Sequence, residues 1–318
     1  MTMPLIQPAA TVAICTHNRC EQLRRAIAGV LQQADGLPLR LLVVDNASAD
    51  GTAKVIAEAA AQIPASVDFH SYRETKLGLA HARNAALDRA VGEFIVFLDD
   101  DAVPSSHWLR AYVEAFADPQ VGIVVGRTLP EFEVTPPAWV DQPGLMDFFS
   151  VLDLGDQSRA MTAQEQPVGA NMAFRRSVVG DLRFRPELGR RGTSLLSGEE
   201  TVFVEQLRAG GARMAYCAAA EVHHHVLRER LSLRWILRRS YYQGETEILA
   251  GRKKAKWSTA IWESLRTPVS MLLAAVLVRD SGRRVGAWCR AAYRWGVAMA
   301  GWRVLSARRS SAVTRTSA

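Results

Sequence analysis

The chain is 318 residues long, 48% hydrophobic and 22% charged, values that exclude wholesale disorder and suit one large domain with an appendage. Its net charge of +7 divides unevenly: residues 1–250 hold 25 Lys+Arg against 30 Asp+Glu, net −5, and residues 251–318 hold 14 against 2, net +12. Whole-chain basicity suggests nucleic acid, but the cations sit in a Trp-rich tail with no recognised binding module, which argues against that partner.

The N-terminal MTMPLIQPAATVAIC lacks a basic start and a long apolar core, so no signal peptide is expected. Residues 11–15 (TVAIC) read as a buried strand, and Leu23, Ala26, Ile27, Val30 and Leu31 follow helical spacing. A second strand is predicted at 39–44, with Ser48 or Asp50 capping a helix through Ala60. Strand 67–72 and helix 79–90 follow, then strand 94–98, helix 106–116 and strand 121–125. This alternation predicts an α/β fold, a mostly parallel sheet covered by helices on both faces, with ligands at the carboxyl ends of the strands. Residues 130–168, rich in Pro, Gly and aromatics, predict a long irregular segment. Helical spacing returns over 200–209.

In the tail, Trp288, Trp295 and Trp302 recur every seven residues beside Arg283, Arg290 and Arg294. That stripe predicts an amphipathic helix at a membrane–water interface, with a helical hairpin packed on the body as the alternative. The longest apolar run, 269–278, is too short for a simple spanning helix. Residues 306–318 are expected to be disordered. The four cysteines form no CxxC pair, so neither a disulfide framework nor a zinc site is expected, and a reducing compartment is.

The strand ends carry the chemistry. Thr16-His17-Asn18-Arg19 follows the first strand, Asp45 to Thr52 the second, and Asp99-Asp100-Asp101 the fourth. Three consecutive carboxylates at a buried strand end repel one another, and a divalent cation with oxygen ligands, Mn²⁺ or Mg²⁺, relieves the conflict. A solvated acidic turn is the alternative.

Seven motifs in order, CTHNR (15–19), VVDNASADGT (43–52), KLGLAHARNAAL (76–87), FLDDDAVP (97–104), GANMAFRR (169–176), LLSGEE (195–200) and VHHHV (222–226), resemble family 2 glycosyltransferases of the GT-A fold. LGR (188–190) and QG (243–244) are similar to a bacterial polysaccharide-assembly subgroup. The composition of 251–318 gives the expectation of a basic helical, membrane-associated tail; the resemblance, over about residues 10–245, implies a GT-A (Rossmann-like) domain over 1–250. It implies inverting, metal-dependent transfer of a sugar from a nucleotide-sugar donor, a UDP-sugar first, to a glycan or lipid-linked acceptor. The cytoplasmic face of the plasma membrane is the expected place. A non-catalytic nucleotide-sugar-binding protein and a Mg²⁺-dependent nucleotidyltransferase are the alternatives.

By the same resemblance, Thr16, Arg19, Lys76, Arg83 and Asn84 lie near the nucleotide and its sugar, and Asp45 reads the base, with Asn46 where the family has a second acid. Asp101 is the expected metal ligand, with Asp99 and Asp100 on the donor side and Asp99 as a further ligand. Glu200 takes the position of the catalytic base beside Glu199, although two acids also suit a helix N-terminus. Of the histidine run, His224 best matches a metal or diphosphate contact; an alternating strand is the other reading. Gly169 and Asn171 are expected on the acceptor side, and Trp139 is expected to stack on an acceptor sugar or to plug a loop.

Overall fold

The computed structural model describes residues 9–33 and 37–316. The N-terminal stretch read as lacking a leader lies largely outside the described residues. The chain forms two compact units: Met1–Glu131, Ser150–Pro186 and Glu199–Val226 make the first, and Phe132–Phe149, Glu187–Gly198 and Leu227–Ala318 the second. The second unit therefore starts before the boundary expected at residue 250 and draws two segments from inside the body.

The first unit runs β1 (Ala10–Thr16), α1 (Cys20–Leu31), β2 (Leu39–Asp45), α2 (Thr52–Gln62), β3 (Val67–Arg73), α3 (Leu79–Arg89), β4 (Phe94–Asp99), β5 (Ala102–Pro104), α4 (Trp108–Ala115) and β6 (Val121–Phe132). It continues through β7 (Arg159–Ala160), β8 (Asn171–Arg175), α5 (Arg176–Val179), α6 (Glu199–Ala209) and β9 (Arg213–Val226). The sheet order is β3-β2-β1-β4-β8-β6-β9-β5, with β7 paired to β9. Strands β1 to β4 are parallel. β8 is antiparallel to both β4 and β6, so β6 runs with β4 as expected but is not its neighbour.

Period-two alternation divides the strands between two cores. Val12, Ile14, Leu41, Val43, Val96 and Leu98 face one side, against Leu23, Ile27 and Val30 of α1 and Trp108 and Tyr112 of α4. Ala13, Cys15, Leu42, Val44, Ile95 and Phe97 face the other, against alanines of α3 and Phe203 and Val204 of α6. Strands buried on both faces are why these segments read as continuous apolar runs rather than alternating ones.

In the second unit, the irregular segment 132–149 folds into two short 3-10 turns, Ala138–Asp141 and Met146–Phe149. Phe149 stacks on Trp235, with ring centroids 5.7 Å apart. Three helices complete this unit: α7 (Leu233–Leu249), α8 (Trp257–Leu277) and α9 (Ser281–Thr316). α7 and α9 cross where a Cβ at Gly244 would lie 1.9 Å from the Tyr293 carbonyl oxygen and one at Gly296 1.9 Å from that of Tyr241. Only glycine permits such an approach.

Three expectations for the tail change. Two tryptophans of the stripe face α8: Trp288 Nε1 donates to the Met271 carbonyl (3.2 Å), and Trp302 Nε1 to Ser264 Oγ (3.3 Å). α8 is itself long and apolar enough to cross a membrane by length and composition. Glu263 and Arg266 break the uncharged run in the sequence but do not interrupt the apolar face of the helix. Helix α9 extends to Thr316, across most of the segment expected to be disordered, because no glycine or proline breaks it there. Cys15, Cys20, Cys217 and Cys289 are unpaired.

Candidate active site

Parallel pairing brings the strand ends of the first unit into register, Thr16 opposite Asp45 and Asp45 opposite Arg73, with Asp99 opposite Cys15. The chain then turns through Asp100 and Asp101 into β5, whose pairing with β9 sets Ala102 opposite His224.

The acid triplet is not a solvated turn: Asp100 and Asp101 are each 4% exposed and His224 is 1% exposed. Asp100 accepts hydrogen bonds from Thr16 Oγ1 (2.7 Å) and Arg19 Nη1 (2.8 Å). The same Arg19 nitrogen donates to Asp101 Oδ2 at 2.9 Å. Asp101 Oδ1 lies 3.2 Å from His224 Nε2, and the His225 N–H donates to the Asp101 carbonyl at 2.7 Å. Burial raises the Asp100 pKa while the Arg19 charge opposes the rise, and the Asp100 charge in turn holds Arg19 protonated. Along β9 the histidines alternate, so His223 points outward and pairs with Glu221 at 3.3 Å.

A second cluster meets the first through Arg83, which is buried midway along α3. Its Nη2 donates to Asp99 Oδ1 (3.2 Å) and the Gly169 carbonyl (3.0 Å), and its Nη1 to Glu199 Oε1 (2.9 Å). Glu200 Oε2 lies 3.9 Å from the guanidinium. Burial would lower the Arg83 pKa, but the charges of Glu199, Asp99 and Glu200 outweigh it. Glu199 is buried, and its carboxyl is pushed up to about 8, first by burial and then by Glu200, with Arg83 opposing. The two glutamates open α6, where the helix dipole favours acids.

The remaining expected residues divide. Asp45 accepts from the Ser48 N–H (2.9 Å) and Arg73 Nη1 (2.7 Å). Asn46 donates to the Glu74 and Lys76 carbonyls and accepts from the Gly78 N–H, a set that a second acid could not satisfy. It holds the loop bearing the exposed Lys76. Gly169 leaves room for Arg83, since a Cβ there would lie 2.7 Å from Nη2.

Four of the expected residues are engaged within the protein. Thr16 Oγ1 donates to Asp100. Asn84 exchanges two bonds with the Phe184 backbone (2.9 and 2.7 Å), which occupies its amide. Asn171 is fully buried: Oδ1 accepts from Trp108 Nε1 and Tyr112 OH, and Nδ2 donates to the Arg127 and Ala220 carbonyls, so its side chain serves the core instead of an acceptor. Trp139 belongs to the second unit, where its ring tilts against Phe149. Arg73, which ends β3 and holds Asp45, lies outside the motifs legible in the sequence, and only its position at a parallel strand end marks it.

Asp101 Oδ1 and His224 Nε2 form a buried O/N pair: the carboxylate suits Mn²⁺ or Mg²⁺, and the imidazole favours the transition ion Mn²⁺ over Mg²⁺. Their 3.2 Å separation is close to the edge of an octahedron with ligands about 2.1 Å from its centre. Among the described residues no group of three or more His, Cys, Asp or Glu gathers to hold a metal. Two protein ligands fit an ion that completes its shell with substrate phosphates and water. Asp99, tied to Arg83, stands beside this pair rather than in it.

Residues 11–183 match the family model described as glycosyl transferase family 2. Over 256 residues the chain is 27% identical to the succinoglycan biosynthesis protein ExoM of Rhizobium meliloti (strain 1021), covering 79% of this chain and 78% of that protein. Its fold is similar to that of the mannosyltransferase PcManGT from Pyrobaculum calidifontis in complex with GDP-Man and Mn²⁺, with a TM-score of 0.57 and 20% identity, covering 98% of this chain and 80% of that one. It is also similar to S. aureus TarS 1-349 in complex with UDP, with a TM-score of 0.53 and 15% identity, covering 91% and 90%.

Proposed function

The chain belongs to glycosyl transferase family 2 and is a glycosyltransferase; we propose that it transfers a sugar with inversion from a nucleotide-sugar donor to a glycan or lipid-linked acceptor in polysaccharide assembly. The observation that carries this reading is Arg83, which ties the acid triplet on one side to the Glu199–Glu200 pair on the other. Donor-side and acceptor-side chemistry thereby share one rigid cation.

Asp45, fixed by Ser48 and Arg73, presents a carboxylate to a base ring N–H. Uracil offers one, and TarS carries UDP, which support a UDP-sugar as donor. Asp101 and His224, with Asp99 beside them, would hold a divalent cation, Mn²⁺ or Mg²⁺, which when bound would supply a Lewis acid to neutralise the leaving diphosphate. Arg19, already on Asp100 and Asp101, adds positive charge at the same place. Glu200 takes the proton of the acceptor hydroxyl as that oxygen attacks the anomeric carbon, while Arg83 and Glu199 fix its position. One displacement needs one base and no covalent nucleophile, hence inversion. The reaction belongs at the cytoplasmic face of a membrane, where lipid-linked acceptors are within reach.

The test is a panel of nucleotide sugars screened by thermal unfolding with and without Mn²⁺. One nucleotide class should raise Tm only when Mn²⁺ is present, and Asp101→Ala should remove the rise. Equal stabilisation of the Asp101→Ala protein would overturn the metal assignment.

A further inference from the structure

Helix α8 has its polarity inverted. Toward α9 it presents Ala260, Ser264, Thr267 and Ala274, with Ala260, Thr267 and Ala274 no more than 6% exposed. Away from α9 it carries Trp262, Leu265, Val269, Leu272, Val276 and Leu277, each between 56% and 70% exposed. These follow i, i+3, i+7 spacing along the helix, so they form one continuous apolar stripe. Monomeric proteins rarely expose such a stripe without a partner for it.

Charge identifies the partner. Lys253, Lys254 and Lys256 precede the helix, and Arg279 and Arg283 follow it, with Arg290 on the adjoining turns of α9; all six are exposed. Among the described residues none of the six is ion-paired. An apolar stripe bounded at both ends by unneutralised cations matches a bilayer surface that offers acyl chains between anionic headgroups. The net −5 of residues 1–250 disfavours the same surface, so the tail is the part of the chain drawn to it.

The contacts of α8 also decide how it sits. Its 21 residues rise about 31 Å, enough to cross a hydrocarbon core. Trp288 and Trp302, however, bond it to α9, and between those two contacts α9 carries Arg290 and Arg294. A crossing α8 would draw these guanidinium groups into hydrocarbon, among the least tolerated insertions known.

We propose that α8 lies in the plane of an anionic membrane surface, its outward stripe in the acyl boundary and its flanking Lys and Arg at the headgroups. This deepens the membrane clause of the reading above and rests on it for its purpose, though not for its geometry. Glycosyl transfer and membrane seating are read out separately by floating the full chain with vesicles of phosphatidylcholine alone or mixed with phosphatidylglycerol. The protein should float with the mixed vesicles, less so as salt rises, and be released by alkaline carbonate. Leu265→Glu with Leu272→Glu should cut flotation by more than about tenfold and leave Mn²⁺-dependent stabilisation by the nucleotide sugar intact. Unchanged flotation of the double variant, or resistance to carbonate, would overturn the proposal. So would a wild-type dimer that forms without lipid and is broken by the variant, since the stripe would then belong to a second copy. Loss of nucleotide-sugar stabilisation in the wild type would instead count against the reading of the active site.

Discussion

Arg19 is the cation that makes the buried acid triplet tolerable before any substrate arrives, since one of its nitrogens serves both Asp100 and Asp101. Removing it leaves two carboxylates facing each other. Arg19→Met should therefore lower folding stability by about 1–3 kcal/mol, a figure reduced for the partial exposure of the guanidinium; urea unfolding at neutral pH measures it, and an unchanged midpoint would show the pair to be stabilised otherwise. Glu199 sets a pH dependence. Its carboxyl stands at about 8 instead of the ordinary 4.5, so between those values the folded chain holds a proton that the unfolded chain has released. Stability contributed by that proton falls as pH rises through the window. Glu199→Gln should flatten the fall, becoming the more stable protein above pH 8 on unfolding scans, and a slope equal to wild type would contradict the assignment. Asn46, Asn84 and Asn171 mark how far single residues can be read. Each stands in a legible motif, but an amide that both donates and accepts is as useful to a backbone as to a nucleotide. Which of the two it meets depends on partners up to 100 positions away, as for Asn84 and Phe184.

Elements with local signals were the legible ones. β1 to β4 and their helices follow from apolar runs and helical spacing, and the positions of Thr16, Asp45 and Asp99 at strand ends follow with them. The pairing of β8 between β4 and β6, and of β5 with β9, depends on segments some 50 to 120 residues apart, and no local pattern encodes it. His224 reaches Asp101 by that long-range register, which is why the histidine run alone left its member open. The α7–α9 crossing was hidden for a similar reason: Gly244 and Gly296 are unremarkable inside their own helices and matter only to each other's backbone. Gly244→Ala or Gly296→Ala should cost about 1–3 kcal/mol through overpacking. Gly286→Ala, whose Cβ would meet nothing closer than 3.5 Å, should be neutral or stabilising because alanine favours the helix. Thermal unfolding of the three variants distinguishes a crossing constraint from a general sensitivity of α9.

At the scale of the molecule, +7 is a sum of unlike parts. The acids that give residues 1–250 their net −5 include the triplet and the glutamate pair, held by Arg19 and Arg83, and Asp45, held by Arg73. The cations that give residues 251–318 their net +12 surround an apolar helix. The sequence alone points to the tryptophans of α9 as the face of the tail that meets a membrane; the packing of Trp288 and Trp302 against α8 leaves the outward stripe of α8 as the face proposed for that role. The measurement closest to the central claim, sugar transfer by a base at Glu200, compares wild type with Glu200→Gln in donor binding and in product formation from the same nucleotide sugar, acceptor and Mn²⁺. Donor affinity should stay within about twofold while transfer falls by roughly 10²–10⁴-fold. Transfer at the wild-type rate by Glu200→Gln would contradict it.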